Sequence, residues 1–370
     1  MNEQRIKWID GLKVIAVIGI ILHHFSVEYY PAVYFGSSAT SYTQSGIDVT
    51  LSELPFFFVL NGDFFMLLTL ALVGVTVTHR VMLLEMCDFG MLHVRRFLRI
   101  TIPVFAVNTI VWIIDLFGLE FAEGGYGGYT DSYLSVLRAA FIDTPLYGDQ
   151  TFLGPFWRMG YVFIGGILVS AIAAITWSKK KTVAIIVCAI ALIASIVSGE
   201  YEYTAVVFGC LFALCTEYLD KIRDNTYVQF FSWILLVMGL FLAAFPTAIY
   251  PDNIYMYIDV FNDVSIYHII GAGMIVFAIY NISAMKKILE CSFLQWFVPI
   301  MYFMFVFHCL FLKIFGRTFD GIFNVLNNYA ASVVITLVLV VISTVVISLL
   351  YKRLEEVIRK KIYMLSRKNA

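Results

Sequence analysis

Charge is what this chain has least of. Only 14% of its 370 residues are Asp, Glu, Lys or Arg, 61% are hydrophobic, and the mean hydropathy is +0.86. Soluble domains carry about 25% charged and roughly 45–50% apolar residues, so this composition excludes a soluble globular fold and predicts an integral membrane protein. The formal net charge of −1 leaves no basic surplus with which to hold nucleic acid. Metal-type cysteine spacing is missing too. Cys87, Cys188, Cys210, Cys215, Cys291 and Cys309 form no CxxC pair and mostly fall in apolar runs, so they read as small buried hydrophobes and no metal is expected. The chain also lacks an internal repeat, a low-complexity linker and a small-residue cleavage site after its first apolar stretch. The last absence argues against a removable signal peptide.

What remains is a succession of long apolar runs. Stretches near 8–27, 56–78, 97–118, 153–176, 182–199, 203–219, 227–247, 265–284, 293–314 and 331–351 approach the ~20 residues that a spanning helix needs. The second is interrupted by Asn61, Gly62 and Asp63. With the N-terminus inside, all but four of the 25 Lys and Arg residues fall on the inner side, the exceptions being Arg138, Arg158, Lys313 and Arg317. The positive-inside rule therefore predicts an all-α polytopic membrane protein with ten transmembrane helices and both termini cytoplasmic. Residues 1–351 read as one transmembrane domain. Residues 352–370, opening KRLEEVIRKK, read as a basic cytoplasmic tail, either an amphipathic helix on the inner surface or a topogenic charge block. The outer loops are longer and acidic; the second holds Glu120, Glu123, Asp131, Asp143 and Asp149 beside a glycine-rich run.

Ionisable residues inside or at the edge of the spans are the candidates for chemistry, because they are costly there. The first span carries Asp10, Lys13, His23 and His24. Eleven helical steps separate Lys13 from His24, which returns to within about 20° of the same face, roughly 16 Å further along. Imidazole moves protons near neutral pH and can carry an acyl group. Lys13 can pair with Asp10 one turn away or meet a phosphate as a point charge. Alternatively, Lys13 snorkels to the interface and the histidines bond to neighbouring helices. Arg95, Arg96 and Arg99 open the third span; Arg96 and Arg99 share a helix face and suit phosphate, although topology alone also places arginines there. Asn61 or Asp63 caps the second span or marks a broken start facing the protein interior. Trp157 and Arg158 open the fourth span, and Arg158, nearly alone among outer cations, needs a partner or a ligand. His308 lies in the ninth span behind Tyr302.

In this order the motifs resemble the family-three membrane acyltransferases, over nearly the whole chain. Asp10-Gly11-Leu12 followed by Lys13 and His24 is similar to the family's opening helix, which has arginine where Lys13 stands. Asn61-Gly62-Asp63-Phe64 with Gly74, Arg95-Arg96-Phe97-Leu98-Arg99-Ile100 with Pro103, the segment Gly154 to Gly165, and Tyr302 to His308 resemble its later motifs. Val73 replaces a serine, and Val162 stands where many members have a glutamate. Lys13 keeps the charge of arginine but not its bidentate fork.

The resemblance implies an O-acyltransferase, most often an O-acetyltransferase, of the plasma membrane. It implies acetyl-CoA, or another acyl-CoA, as cytoplasmic donor and a cell-surface carbohydrate as acceptor, with a separate protein able to receive the acyl group. It makes His24 and His23 catalytic, Lys13, Arg96 and Arg99 the donor-binding cations, and Asp10, Asn61, Asp63, Trp157, Arg158 and His308 substrate contacts. Two other readings stand beside it. One is a transporter or flippase of a sugar-linked or anionic solute. The other is an inactive sensor or scaffold of the same fold.

Overall fold

A computed structural model describes residues 6–31, 56–84, 88–117, 132–148, 156, 158–246, 254–257, 259–261 and 263–368. Most of the long acidic loops, Trp157 and the first residues of its motif lie outside these. Every regular element among the described residues is helical. In chain order they are α1 (Lys7–Tyr29), α2 (Gly62–Leu83), α3 (Phe89–Leu116), a short α4 (Tyr133–Arg138) running into a π-helical stretch (Ala139–Tyr147), α5 (Arg158–Ala174), α6 (Lys181–Val197), α7 (Tyr201–Asp220), α8 (Thr226–Ala243), α9 (Val264–Asn281), α10 (Ser283–Leu289), α11 (Ser292–Phe297), α12 (Met301–Ile314), α13 (Gly316–Leu326) and α14 (Tyr329–Lys368).

Among the described residues, eight helices are long and apolar enough to cross a membrane: α1, α2, α3, α5 with its 3-10 extension to Ser178, α7, α8, α9 and α14. The protein is thus an all-helical, multi-pass membrane protein. Ten spans were expected, and the two that differ have identifiable causes. α6 is apolar but only 17 residues long. The ninth segment is not one helix. Pro299, which has no N–H to give to the helical ladder, falls in the break between α11 and α12, and α12 then bends by 51° into α13. Counting α12 and α13 as one broken span gives nine. α3 begins eight residues before the expected apolar run, because Arg95, Arg96 and Arg99 are good helix formers although they are not apolar. α14 is one continuous helix of 40 residues that carries on beyond the apolar stretch through the basic tail.

Small residues set how closely the helices approach. Gly74 of α2 faces the Val206 carbonyl of α7, and Gly209 of α7 faces the Ala71 carbonyl of α2; a Cβ on either would strike backbone. Gly239 and Gly271 do the same between α8 and α9. This is packing by small residues, as expected where lipid removes the hydrophobic drive between helices. Outward faces remain apolar: Ile186, Ile190 and Ile193 on α6, Phe230, Trp233 and Val237 on α8, and Val334, Val338 and Ile342 on α14 are exposed. Such a surface suits lipid and not water.

Contacts define two ends of the bundle. At one, Trp8 meets Tyr280 edge-on, Tyr280 donates to Asp220 at 2.6 Å, Lys286 lies 4.6 Å from the Tyr280 ring, Lys181 pairs with Glu217 at 2.8 Å, and Trp177 donates to the Val81 carbonyl. Burial among these groups, with Arg223 nearby, pulls the Lys286 ammonium below its ordinary pKa. At the other end Lys313 pairs with Glu28 at 3.3 Å, Tyr29 donates to the Leu312 carbonyl, and Arg158 pairs with Asp63. Lys13 belongs towards the first end and His24 towards the second.

Candidate active site

α1 is the axis of the site. It runs beside α2 in the opposite sense: Lys13 Nζ donates to Thr76 Oγ1 at 3.0 Å, while at the far end His23 Nδ1 lies 3.0 Å from the Leu60 carbonyl just ahead of α2. A carbonyl only accepts, so Nδ1 of His23 carries the proton and its tautomer is fixed. Two glycines admit this approach. A Cβ on Gly19 would collide with the Phe65 ring, and one on Gly62 with the ring of His23 itself.

Three imidazoles converge where α1 meets α12. The rings of His23 and His24 lie 5.0 Å apart, edge to face, and those of His24 and His308 5.3 Å apart. His308 is fully buried. Its Nδ1 donates to the Phe305 carbonyl at 2.6 Å, and its Nε2 accepts from the Cys309 thiol at 3.1 Å. Both its nitrogens are thereby engaged, and what it offers His24 is a fixed ring face. His24 is half-buried, and among the described residues no hydrogen bond engages its nitrogens. Tyr302, one and a half turns before His308, donates to the Ile100 carbonyl at 3.0 Å and so ties α12 to α3.

The partner that Arg158 requires is Asp63. Nη2 of Arg158 meets Asp63 Oδ1 at 2.5 Å, joining the start of α5 to the first turn of α2 beside His23. The α2 cap is Asn61: its Oδ1 accepts from the Phe64 amide at 3.3 Å, the residue i+3 bond typical of an N-cap. Its Nδ2 donates to the Ala243 and Phe245 carbonyls at 2.9 and 3.0 Å, at the end of α8. Six of the residues singled out in the sequence, His23, His24, Asn61, Asp63, Arg158 and His308, therefore gather at one end of the bundle. Trp157 lies outside the described residues.

The cations expected to bind a donor are elsewhere. Lys13 sits about 16 Å along α1 from His24 by helical rise, with Asp10 half-exposed one turn before it. Arg96 turns its guanidinium onto α5, where Nη2 donates to the Val162 carbonyl at 2.7 Å across Gly166. It feels the like charges of Arg99 and Arg80, both exposed. Arg99 and Arg80 lie exposed as a cationic rim, while the Arg96 guanidinium reaches inward to Val162, one helical turn along α5 from Arg158. Val162, at a position where the resemblance leads one to expect a glutamate, contributes its backbone and not a carboxylate.

Two polar residues escaped sequence reasoning. His268 of α9 is fully buried against Asn61, its Nε2 2.9 Å from Asn61 Nδ2 and 2.9 Å from the Phe245 carbonyl. Asn108, within α3, is buried with neither side-chain amide atom hydrogen-bonded among the described residues. The available signal was the one that drew attention to His24: a polar side chain inside an apolar span. Among the described residues, no group of three or more His, Cys, Asp or Glu is arranged to hold a metal ion.

Comparison with known proteins adds one positive finding. A family model described as an acyltransferase domain matches residues 6–352, nearly the whole chain. No curated protein and no solved structure matches.

Proposed function

The chain belongs to acyltransferase family 3, and from that premise we propose that it is a membrane-embedded O-acyltransferase. It moves an acyl group, most often acetyl, from cytoplasmic acetyl-CoA to a hydroxyl of a cell-surface carbohydrate or of a separate acceptor protein. The observation that carries the reading is the convergence of His23, His24 and His308 beside the Asp63–Arg158 pair. The cationic set of Arg96, Arg99 and Lys13 supports donor binding, since CoA is a polyanion. On this reading the protein sits in the plasma membrane with ten passes and both termini in the cytoplasm; α6 and the broken α11–α13 region supply the passes beyond the eight regular ones.

The chemistry asks for a base between two substrates. As the acceptor oxygen attacks the thioester carbonyl, its proton passes to an imidazole nitrogen of His24; the carbon–sulfur bond breaks and the CoA sulfur leaves with a proton. The alternative order places the acyl group on His24 first, and the acceptor oxygen takes it from there. His308 holds the His24 ring from one side and His23, with its tautomer set by Leu60, from the other. General-base help contributes about 10²–10⁴-fold, and positioning supplies much of the remainder.

The test is a mass comparison of cell-surface glycans from cells with and without the protein, joined to thioester consumption by their membranes. Loss of acetyl-bearing glycans together with loss of consumption supports the proposal. Solute flux across the membrane without thioester consumption would replace it with transport.

A further inference from the structure

His268 is a histidine in a membrane-spanning helix with no exposure at all. Its hydrogen-bonding is one-sided. The Phe245 carbonyl, 2.9 Å from Nε2, can only accept, and Asn61 Nδ2, also 2.9 Å from Nε2, spends its two hydrogens on the Ala243 and Phe245 carbonyls, so Nε2 carries the ring proton. Nδ1 is buried and has no partner among the described residues. Asn61 donates to the same Phe245 oxygen at 3.0 Å, so two donors converge on one carbonyl and use both its lone pairs. Keeping such a ring in a span, with one nitrogen unmet, costs stability. The part of the ring that is used, Nε2–H, points at the group that also holds Asn61.

Asn61 is where this matters. The residue before it, Leu60, presents the carbonyl to which His23 donates. Gly62, the residue after it, packs its backbone on the His23 ring, and Asp63 receives Arg158. Leu60 and Gly62 thus set the position of His23, and the Asn61 side chain between them, through its bonds to Phe64, Ala243 and Phe245, sets theirs.

We propose that His268 is a positioning residue of the acyl-transfer site: through the shared Phe245 carbonyl it locks Asn61, and through Asn61 it holds Leu60 and Gly62 against His23. The proposal rests on the acyltransferase reading above for its kinetic consequence but not for its structural one. The ring lies behind the α2 cap, away from the donor-binding cations, so it acts on turnover and leaves donor affinity alone.

The experiment uses the full chain in lipid nanodiscs with ¹⁵N-labelled histidine, together with steady-state transfer of radiolabelled acetyl from acetyl-CoA to the surface glycan of membranes. In the unaltered protein the His268 signal should be the Nε2–H tautomer and the His23 signal the Nδ1–H tautomer. A His268 ring protonated on Nδ1 instead overturns the proposal without any variant. His268→Phe should lower kcat by roughly 10–100-fold, the range that a misplacement of about 1 Å produces, with the KM for acetyl-CoA unchanged and the His23 signal averaged between tautomers. His268→Gln, whose amide N–H can reach the Phe245 oxygen, should restore both. Unaltered kcat and His23 signal in His268→Phe, or a His268→Gln protein with His23 as disordered as in the phenylalanine variant, overturns it. Should the unaltered protein transfer no acetyl at all, the acyltransferase reading fails while the tautomer signals still decide the role of His268.

Discussion

The two ends of α1 differ in a way that charge alone does not reveal. At the Lys13 end the cations are plentiful, but each is settled by local geometry: Lys13 on Thr76, Arg96 on the Val162 carbonyl, Arg99 at the surface. At the His24 end the cations Arg158 and Lys313 are held in ion pairs, and α1, α2, α5, α8, α9 and α12 all contribute to one connected network of hydrogen bonds, ring contacts and charge. A rim built from long flexible side chains tolerates change because those side chains can move. A network built from caps, rings and backbone carbonyls cannot shift one member without shifting the next. On the proposed function, chemistry that needs atoms held to a fraction of an ångström would use the second end, and recognition of a polyanion the first.

Four substitutions test that contrast. The largest effect is expected from His24→Ala, which should lower acetyl transfer by about 10³-fold while leaving membrane insertion and thermal stability as they were; radiolabelled transfer in isolated membranes measures the first, and detergent-extracted melting the second. Full activity would remove His24 from the mechanism. Next comes Gly62→Ala. Its Cβ would meet the His23 ring, which the Leu60 carbonyl holds in place, so kcat should fall roughly 10–100-fold with little change in donor KM.

The inner end should respond more mildly. Arg96→Ala removes one charge-assisted donor and should raise the KM for acetyl-CoA about tenfold, the scale of a hydrogen bond from a charged group, with kcat nearly constant. An unchanged KM would move the donor site elsewhere. The smallest effect is expected from Gly166→Ala, the inner counterpart of Gly62→Ala. Its Cβ would also collide with a side chain, but with the far end of the long Arg96 side chain, which can swing aside at the cost of its bond to the Val162 carbonyl; a change of about twofold in KM is the expectation. If Gly166→Ala proved as damaging as Gly62→Ala, the distinction between a rigid end and a yielding one would fail.

Much of this protein was legible before any fold was seen, and for definite reasons. Apolar runs of spanning length survive as helices because a backbone in lipid has few other ways to satisfy its N–H and C=O groups, and α1, α7, α8 and α9 begin and end within a few residues of the stretches read from hydropathy, while α2 starts six residues later, at its Asn61 cap. Asn61 and Asp63 were the two cap candidates that chemistry offered, of which Asn61 is the cap, and Arg158 announced its need of a partner by its isolation. Less legible were the boundaries where charge continues a helix beyond the apolar run, as in α3 and α14, and the break at Pro299 that hydropathy averages away.

That the chain lives in a membrane, which family it resembles, and which ionisable side chains had to be explained could all be read from residue order alone, since their cost in an apolar medium is a property of the residue and its neighbours in the chain. Which of those side chains meet is known only from the folded protein. That Asp63 answers Arg158, that His308 rather than Lys13 lies against His24, and that His268 stands behind Asn61 are facts about residues 95, 284 and 207 positions apart. Helical periodicity fixes the face and height of a residue on its own helix, but the pairing of helices depends on where glycines let backbones close and where caps find carbonyls, and those partners lie far away in the chain.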